Sequence, residues 1–136
     1  EIAVLRDRIA RFVDQDVLPV EADRSVWDPH ENIGYGALQI LRRKARQKGL
    51  WCLQLSLEAG GLGLNKVGMA VCCEAMNRSI FGPVVFNSAA PDDGNMMVLE
   101  KLGTAEQKSC WLARIELFAE TSQSQTIIGE AEVFLD

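Results

Sequence analysis

Apolar residues recur every three or four positions in five segments of this chain, which is the spacing of one buried face on an α-helix. Prolines, glycines and polar turns separate the segments. No alternation of strands and helices follows that could complete a parallel sheet. The pattern therefore predicts an all-α fold of bundled helices with short connections.

The first two predicted helices end at clear stop signals. Helix one ends at Leu18 and Pro19, because proline lacks the amide donor that a continuing helix needs. Helix two has apolar residues at helical spacing, such as Leu38 and Leu41, and ends at Gly49, which supplies its stop signal. Residues 20–34 and 49–64 are irregular, and the stretch LWCLQL at 50–55 is compatible with an extended conformation. The predicted buried positions are Ile2, Leu5, Ile9, Phe12, Val13 and Val17 on helix one and Leu38, Leu41 and Ala45 on helix two.

Three further helices carry recognisable start signals. Asn65 can cap helix three, which ends at Gly82 and Pro83, and helix four begins at Asp92 or Asp93, where we expect capping by the acids. The Thr-x-x-Gln at 104–107 predicts a capping box for helix five. The apolar stripes are Met69, Cys72, Cys73, Met76 and Ile80 on helix three, Met96, Met97, Leu99 and Leu102 on helix four, and Trp111, Leu112 and Ile115 on helix five.

Composition and charge exclude several classes of protein. The chain has 136 residues with 48% hydrophobic content, enough for one domain, and no apolar run approaches the length of a membrane span. Residues 1–115 carry 14 acids and 14 bases, whereas 116–136 carry five acids and no base. A neutral body argues against a nucleic-acid partner. The basic cluster at residues 42–48 is interpreted as the solvated face and C-terminal end of helix two.

The residues that most often carry chemistry form no constellation here. His30 is the only histidine and lies in a polar turn, which we expect to be exposed. Glu74 is placed at the rim of helix three. The four cysteines lack Cys-x-x-Cys spacing, so we predict buried, reduced thiols, no metal site and an intracellular compartment.

The stretch EAGGLGLNKV at 58–67 resembles a phosphate-binding loop in its closely spaced glycines. A dinucleotide fingerprint needs a third glycine where Lys66 stands, and no Gly-Lys-Ser or Gly-Lys-Thr follows. The glycines are better explained by positive φ angles and close backbone approach. We therefore predict a tight corner that leads into helix three.

Three stretches together resemble the N-terminal helical domain of the acyl-CoA dehydrogenases. They are KARQKGLWCLQL, EAGGLGLNKVGMAVCCEAMNRSIFGP and FNSAAPDDGNMMVLEKLGTAEQKSCWL, within which LGTAEQKSCWL at 102–112 strengthens the match. NSAAPDDGNM at 87–96 is similar to family members ten and eleven, which resemble fusions with a kinase-like phosphotransferase. The resemblance implies domain limits of 1–115, followed by a divergent, irregular acidic tail at 116–136 that is a truncated or alternative end.

The resemblance also implies a function. It implies a fragment of an FAD-dependent enzyme that removes hydrogens from the α and β carbons of acyl-CoA thioesters, in a homo-oligomeric, mitochondrial or peroxisomal parent. By the same resemblance, Phe86, Asn87, Ala89, Ala90 and Gly94 lie beside the acyl chain and form one wall of its pocket.

Departures from the family pattern limit what this chain is expected to do by itself. The catalytic base and most flavin contacts belong to family domains that this sequence lacks, so we assign no catalytic or flavin-binding residue and expect the chain to be inactive alone. Ser56 and Ala59 replace a proline and an aromatic residue of the family loop. The alternative is a non-catalytic helical interaction module whose uncovered apolar surface binds a partner.

Overall fold

The computed structural model describes residues 1–112 of the chain. This part contains seven α-helices and no β-strand, and its one ladder contact is an isolated bridge between Trp27 and Ile33. The all-α prediction is confirmed. The helices are α1 (Ile2–Phe12), α2 (Leu18–Ala22), α3 (Tyr35–Gln47), α4 (Lys66–Met76), α5 (Gly82–Val85), α6 (Asp92–Leu102) and α7 (Ala105–Gln107).

The main core lies between α1 and α4 and is closed by α3 and α5. The predicted apolar face of α1 is confirmed, because Ile9 and Phe12 are buried and Leu5 packs against them. Gly68 of α4 faces α1, because a Cβ placed on it would make an ordinary van der Waals contact of 3.5 Å with Ile2 Cδ1. Leu41 and Ala45 bury the inner face of α3, and Gly49 closes its end as predicted, in a Schellman motif.

The predicted stop at Pro19 is wrong. The helical path continues from α1 through a wider π-type turn at Val13–Val17 and then into α2, which ends at Ala22. Pro19 falls in the first turn of α2, where no intrahelical amide donor is required of it. Pro19, which would break a regular α-helix, is therefore accommodated because the wider π-type turn at Val13–Val17 precedes it.

The stretch at 50–55 is folded into turns rather than extended. Cys52 has a φ of 46°, and Leu55 N donates to Cys52 O at 3.1 Å. Leu50 and Leu53 enter the main core, whereas Cys52 and Leu55 enter a second apolar cluster with Met96 and Leu112. The side chains of this segment thus pack in two separate clusters, and no strand lies beside it among the described residues. Hydrogen bonds within turns and to Phe86 therefore satisfy several of its backbone N–H and C=O groups.

Helix α4 begins as predicted but ends early. Asn65 caps it by accepting a hydrogen bond from Gly68 N at 2.8 Å. The helix stops at Met76, so Ile80 is not part of its buried stripe and is 63% exposed. Pro83 begins the short helix α5 instead of ending a longer one.

The last described elements agree with their start signals. Helix α6 spans the predicted residues, and the capping box is present, with Gln107 N donating to Thr104 Oγ1 at 3.2 Å. A π-type turn at Lys108–Leu112 follows α7, and Leu112 is buried as predicted. Ile115, the 115/116 boundary and the acidic tail lie outside the described residues.

The polar and sulfur-containing residues are mostly placed as expected. His30 and Glu74 are exposed, and all four cysteines are free thiols. Cys52 and Cys72 are buried, but Cys110 is exposed, so the prediction of buried thiols is wrong at that position. None of the described helices is long and apolar enough to cross a membrane.

Candidate functional site

The predicted pocket-wall segment runs from the end of α5 into the first turn of α6. Phe86 lies inside the main core, with its ring centroid 5.4 Å from that of Phe12. Its carbonyl oxygen accepts a hydrogen bond from Cys52 N at 3.1 Å. Phe86 therefore anchors the segment to the interior and to the turn at 50–55.

Asn87 is the most constrained residue of the segment. Its side chain is 2% exposed and its φ is 54°. The Nδ2 group donates to Cys52 Sγ at 3.2 Å and lies 3.5 Å from Met96 Sδ. Gln54 closes the arrangement, because its Nε2 donates to Asn87 O at 3.0 Å and its Oε1 accepts from Ser88 Oγ at 3.1 Å. Two turns that are distant in sequence are thus joined into one hydrogen-bonded unit.

The small residues of the segment lie on its outside. Ala89 is half-buried, and its carbonyl oxygen accepts from Asp93 N at 3.0 Å. Ala90 is exposed and precedes Pro91 through a cis peptide bond. Gly94 is exposed in the first turn of α6, where an added Cβ would meet no heavy atom of the described residues within 4 Å. Of the predicted residues, Ala89, Ala90 and Gly94 are therefore the ones that present surface.

A cation–aromatic cluster beside this segment was missed by sequence reasoning. Arg42 Nε donates to Val84 O at 3.0 Å, and the Arg46 guanidinium carbon lies 4.1 Å from the Trp51 ring centroid. Both arginines are half-buried, so a fully solvated basic face is wrong for them. The available signal was spacing, since Arg42 follows Leu38 and Arg46 follows Arg42 by one helical turn.

Asp92 faces this cluster instead of capping α6. No side chain caps the helix by a hydrogen bond, so the prediction of capping by the acids is wrong. Burial raises the pKa of Asp92, and the charge of Arg42 partly offsets that rise. Burial likewise lowers the pKa of Arg42, with Asp92 acting in the opposite direction. The two charges therefore stabilise one another in a partly desolvated position beside the segment.

The glycine loop is a corner, as predicted. Gly60 has a φ of 79°, and a Cβ on Gly61 would lie 2.3 Å from Leu55 O. The amides of Gly60, Gly61 and Gly63 donate to the carbonyl oxygens of Leu57, Ser56 and Leu55 at 3.2, 2.9 and 2.7 Å. Because these donors are used within the loop, they are not available to cradle a phosphate.

Comparison with known proteins agrees with this architecture. A family model described as acyl-CoA dehydrogenase, N-terminal domain, matches residues 1–116. Acyl-CoA dehydrogenase family member 10 of Mus musculus is 38% identical over 122 residues, which cover 79% of this chain and 11% of that protein. The probable acyl-CoA dehydrogenase FadE2 of Mycobacterium tuberculosis is 35% identical over 112 residues, covering 79% of this chain and 27% of that protein.

A solved structure gives the same result. The putative acyl-CoA dehydrogenase from Mycobacterium abscessus superposes with a TM-score of 0.75 at 37% identity, over 88% of this chain and 32% of that one. The chain thus spans a minor part of each relative, between 11% and 32% of its length. From the family match and the shared fold, this chain belongs to the acyl-CoA dehydrogenase family and corresponds to its N-terminal domain.

Proposed function

We propose that this chain is a helical part of an FAD-dependent acyl-CoA dehydrogenase and that it forms one wall of the acyl pocket without being active alone. The observation that carries the proposal is the hydrogen-bonded unit of residues 50–54 and 86–96. Asn87 joins the two turns through Cys52, while Ala89, Ala90 and Gly94 face outward. A wall of small side chains on a fixed backbone suits an apolar acyl chain, which needs shape more than polar contacts.

The flavin is proposed to bind to other parts of a longer, homo-oligomeric protein. The loop at 58–67 does not fit a flavin pyrophosphate, because the amides of its three glycines donate to the carbonyl groups of residues 55–57 just before it. No step of the chemistry is therefore assigned to residues 1–112. We also propose acyl-CoA as the substrate and a mitochondrial or peroxisomal location for the whole protein.

The first test measures flavin binding by the chain alone. We expect no retained flavin absorbance after FAD is added and the chain is desalted, and no loss of absorbance when an acyl-CoA follows. A retained flavin that an acyl-CoA reduces would contradict the proposal that other segments supply the flavin site.

The second test places the wall in an active context. Residues 1–112 would replace the matching part of the Mycobacterium abscessus relative, and acyl-CoAs of increasing length would be assayed. Gly94→Trp should lower kcat/KM for the longest substrates by at least about tenfold, since pocket volume alone discriminates by that order. Gly36→Trp is a matched control, because Gly36 also lies in the first turn of a helix with open space around it. Equal effects of the two substitutions on kcat/KM would show that the segment does not line the acyl pocket.

A second candidate, the interaction module, is favoured by one observation on α6. Val98 and Leu102 lie one turn apart and are 58% and 81% exposed, so they form an uncovered apolar stripe. If this stripe binds a partner or a second copy, Leu102→Gln should abolish concentration-dependent growth in sedimentation. A wild-type chain that stays monomeric and binds no hydrophobic dye would exclude this candidate.

A further inference from the structure

A cleft of about 340 Å³ lies between the second half of α1 and the end of α3. It is lined by Arg8, Arg11, Phe12, Gln15, Lys48 and Leu50, and we call it the α1–α3 cleft. Its volume falls at the lower end of the range of roughly 300–1,000 Å³ typical of small-molecule sites. The predicted pocket wall contributes none of these residues, so the cleft is a separate feature of the domain.

Three of the lining residues, Arg8, Arg11 and Lys48, are cations that have more hydrogen-bond donors than their described contacts use. Arg8 donates to the carbonyl oxygen of Lys48, and Arg11 Nε donates to Asp7 O at 3.2 Å. Neither arginine forms an ion pair with any acid among residues 1–112. A guanidinium group carries several N–H donors, so each retains donors that can reach a ligand.

The nearby acids are already paired with cations, and one of these cations is Lys48 of the cleft itself. Asp16 binds Lys44 at 2.8 Å and Lys48 at 3.2 Å, and Asp7 binds Arg6 at 2.7 Å. No acid lines the cleft within the described part of the chain. The chain has a net charge of −5, but this cleft is locally positive and therefore attracts anions.

Two apolar residues contribute to the floor of the cleft. Phe12 and Leu50 are both fully buried parts of the main core, and Lys48 Nζ lies 5.0 Å from the Phe12 ring centroid. Gln15 adds one amide that can both donate and accept. The cleft thus combines three cations, one neutral polar group and two apolar side chains at its base.

We propose that the α1–α3 cleft binds a small organic phosphate, with the phosphate between Arg8, Arg11 and Lys48 and the organic part beside Gln15. The forked donors of the two arginines can pair in a bidentate manner with phosphate oxygens, and Lys48 adds a further positive charge. The volume exceeds what a phosphate group alone would fill, which leaves room for an organic substituent. This site does not depend on the proposed dehydrogenase function.

The test is a titration of the full 136-residue chain with phenyl phosphate, in which binding is monitored through the NMR chemical shifts of the backbone amides. Saturable shifts are expected at the cleft residues. Inorganic phosphate should bind more weakly, and phenol, which keeps the ring but lacks the phosphate, should give no saturable shifts. The absence of saturable shifts with phenyl phosphate would overturn the site, and equal binding of phenol would overturn the role of the phosphate.

Substitutions separate a built site from general charge attraction. Arg11→Gln and Lys48→Gln should each weaken phenyl phosphate binding by about tenfold, because each removes one charged donor. Arg6→Gln is the matched control on α1, since Arg6 is exposed, pairs with Asp7 and lies outside the cleft; its effect should stay within about twofold. The two cleft substitutions lie on different elements, so misfolding of one, visible in its NMR spectrum, leaves the other as the test. An effect of Arg6→Gln as large as theirs would overturn the proposal.

Discussion

Asn87 and Cys52 meet at 3.2 Å, from the amide nitrogen of one to the sulfur of the other, and both residues have positive φ angles of 54° and 46°. Two backbone turns of unusual conformation therefore support each other in the interior. Conformations of this kind persist only where surrounding contacts hold them. The contact joins the turn at 50–55 to the proposed pocket wall.

Replacing Asn87 should separate its backbone role from its side-chain role. Asn87→Ala removes the amide contacts and replaces asparagine, which tolerates the left-handed conformation, with alanine, which tolerates it less well, so we expect a loss of about 2 kcal/mol in the free energy of unfolding. Asn87→Gly loses the same contacts but tolerates the φ angle, and should be about 1 kcal/mol more stable than the alanine variant. Urea unfolding measures both. Equal losses would show that the backbone at this position is not strained.

Gly61 should tolerate no side chain. A Cβ there would lie 2.3 Å from Leu55 O and 2.4 Å from Cys52 O, and these backbone atoms cannot move aside independently. We expect Gly61→Ala to cost about 3 kcal/mol in thermal or urea unfolding, as overpacking does. Gly36→Ala, made at an open helical position, should instead stabilise the chain by about 0.5–1 kcal/mol. A neutral Gly61→Ala would contradict the close approach.

The ion pairs of Asp16 should make stability depend on acid pH. Partial burial by itself would raise the pKa of Asp16, but the hydrogen bonds and charges of Lys44 and Lys48 together outweigh it and lower the pKa. A carboxylate with a lowered pKa stabilises the fold above its ordinary value of 3.8 and loses that contribution as pH falls through the lower folded value.

The measurement is the unfolding free energy of Asp16→Asn against the wild type at neutral and at acid pH. The wild type should be more stable by about 1 kcal/mol at neutral pH, because both lysines are half-exposed and solvent weakens the pairs. The difference should shrink toward zero well below pH 3.8. Asp14→Asn, which breaks one exposed pair with Arg78, should cost less than about 0.5 kcal/mol. A constant difference for Asp16→Asn across pH would refute the linkage.

The cysteines should react with alkylating agents in order of exposure. Cys110 is exposed, whereas Cys52 and Cys72 are buried. Burial also raises the pKa of Cys72 and Cys73, which lowers the fraction of reactive thiolate at neutral pH. Iodoacetamide followed by mass spectrometry should find Cys110 modified first and Cys72 only after denaturation. Similar rates at Cys72 and Cys110 in the native chain would contradict the described packing.

Local signals predicted the helix starts more reliably than the helix ends. Asn65 and Thr104 mark their helices because a capping side chain acts within its own turn. Pro19, Ile80 and Pro83 misled the prediction because a π-type turn and the short helix α5 depend on packing against other elements. For the candidate site, the sequence led only to the prediction that residues 86–94 form a pocket wall, and the interior positions of Phe86 and Asn87 became visible only with Phe12 and Cys52 in place.

The sequence by itself determined the all-α class, the inner faces of α1 and α3, the caps of α4 and α7, and the family. Each of these follows from residue spacing or from groups only a few positions apart, so a linear pattern records it. Only the tertiary structure decided that Arg42 is partly desolvated beside Asp92, that Asn87 holds Cys52, and that Arg8, Arg11 and Lys48 line one cleft. These relationships join residues about thirty to fifty positions apart, and the free energy of burying their shared surroundings arises only when the helices pack.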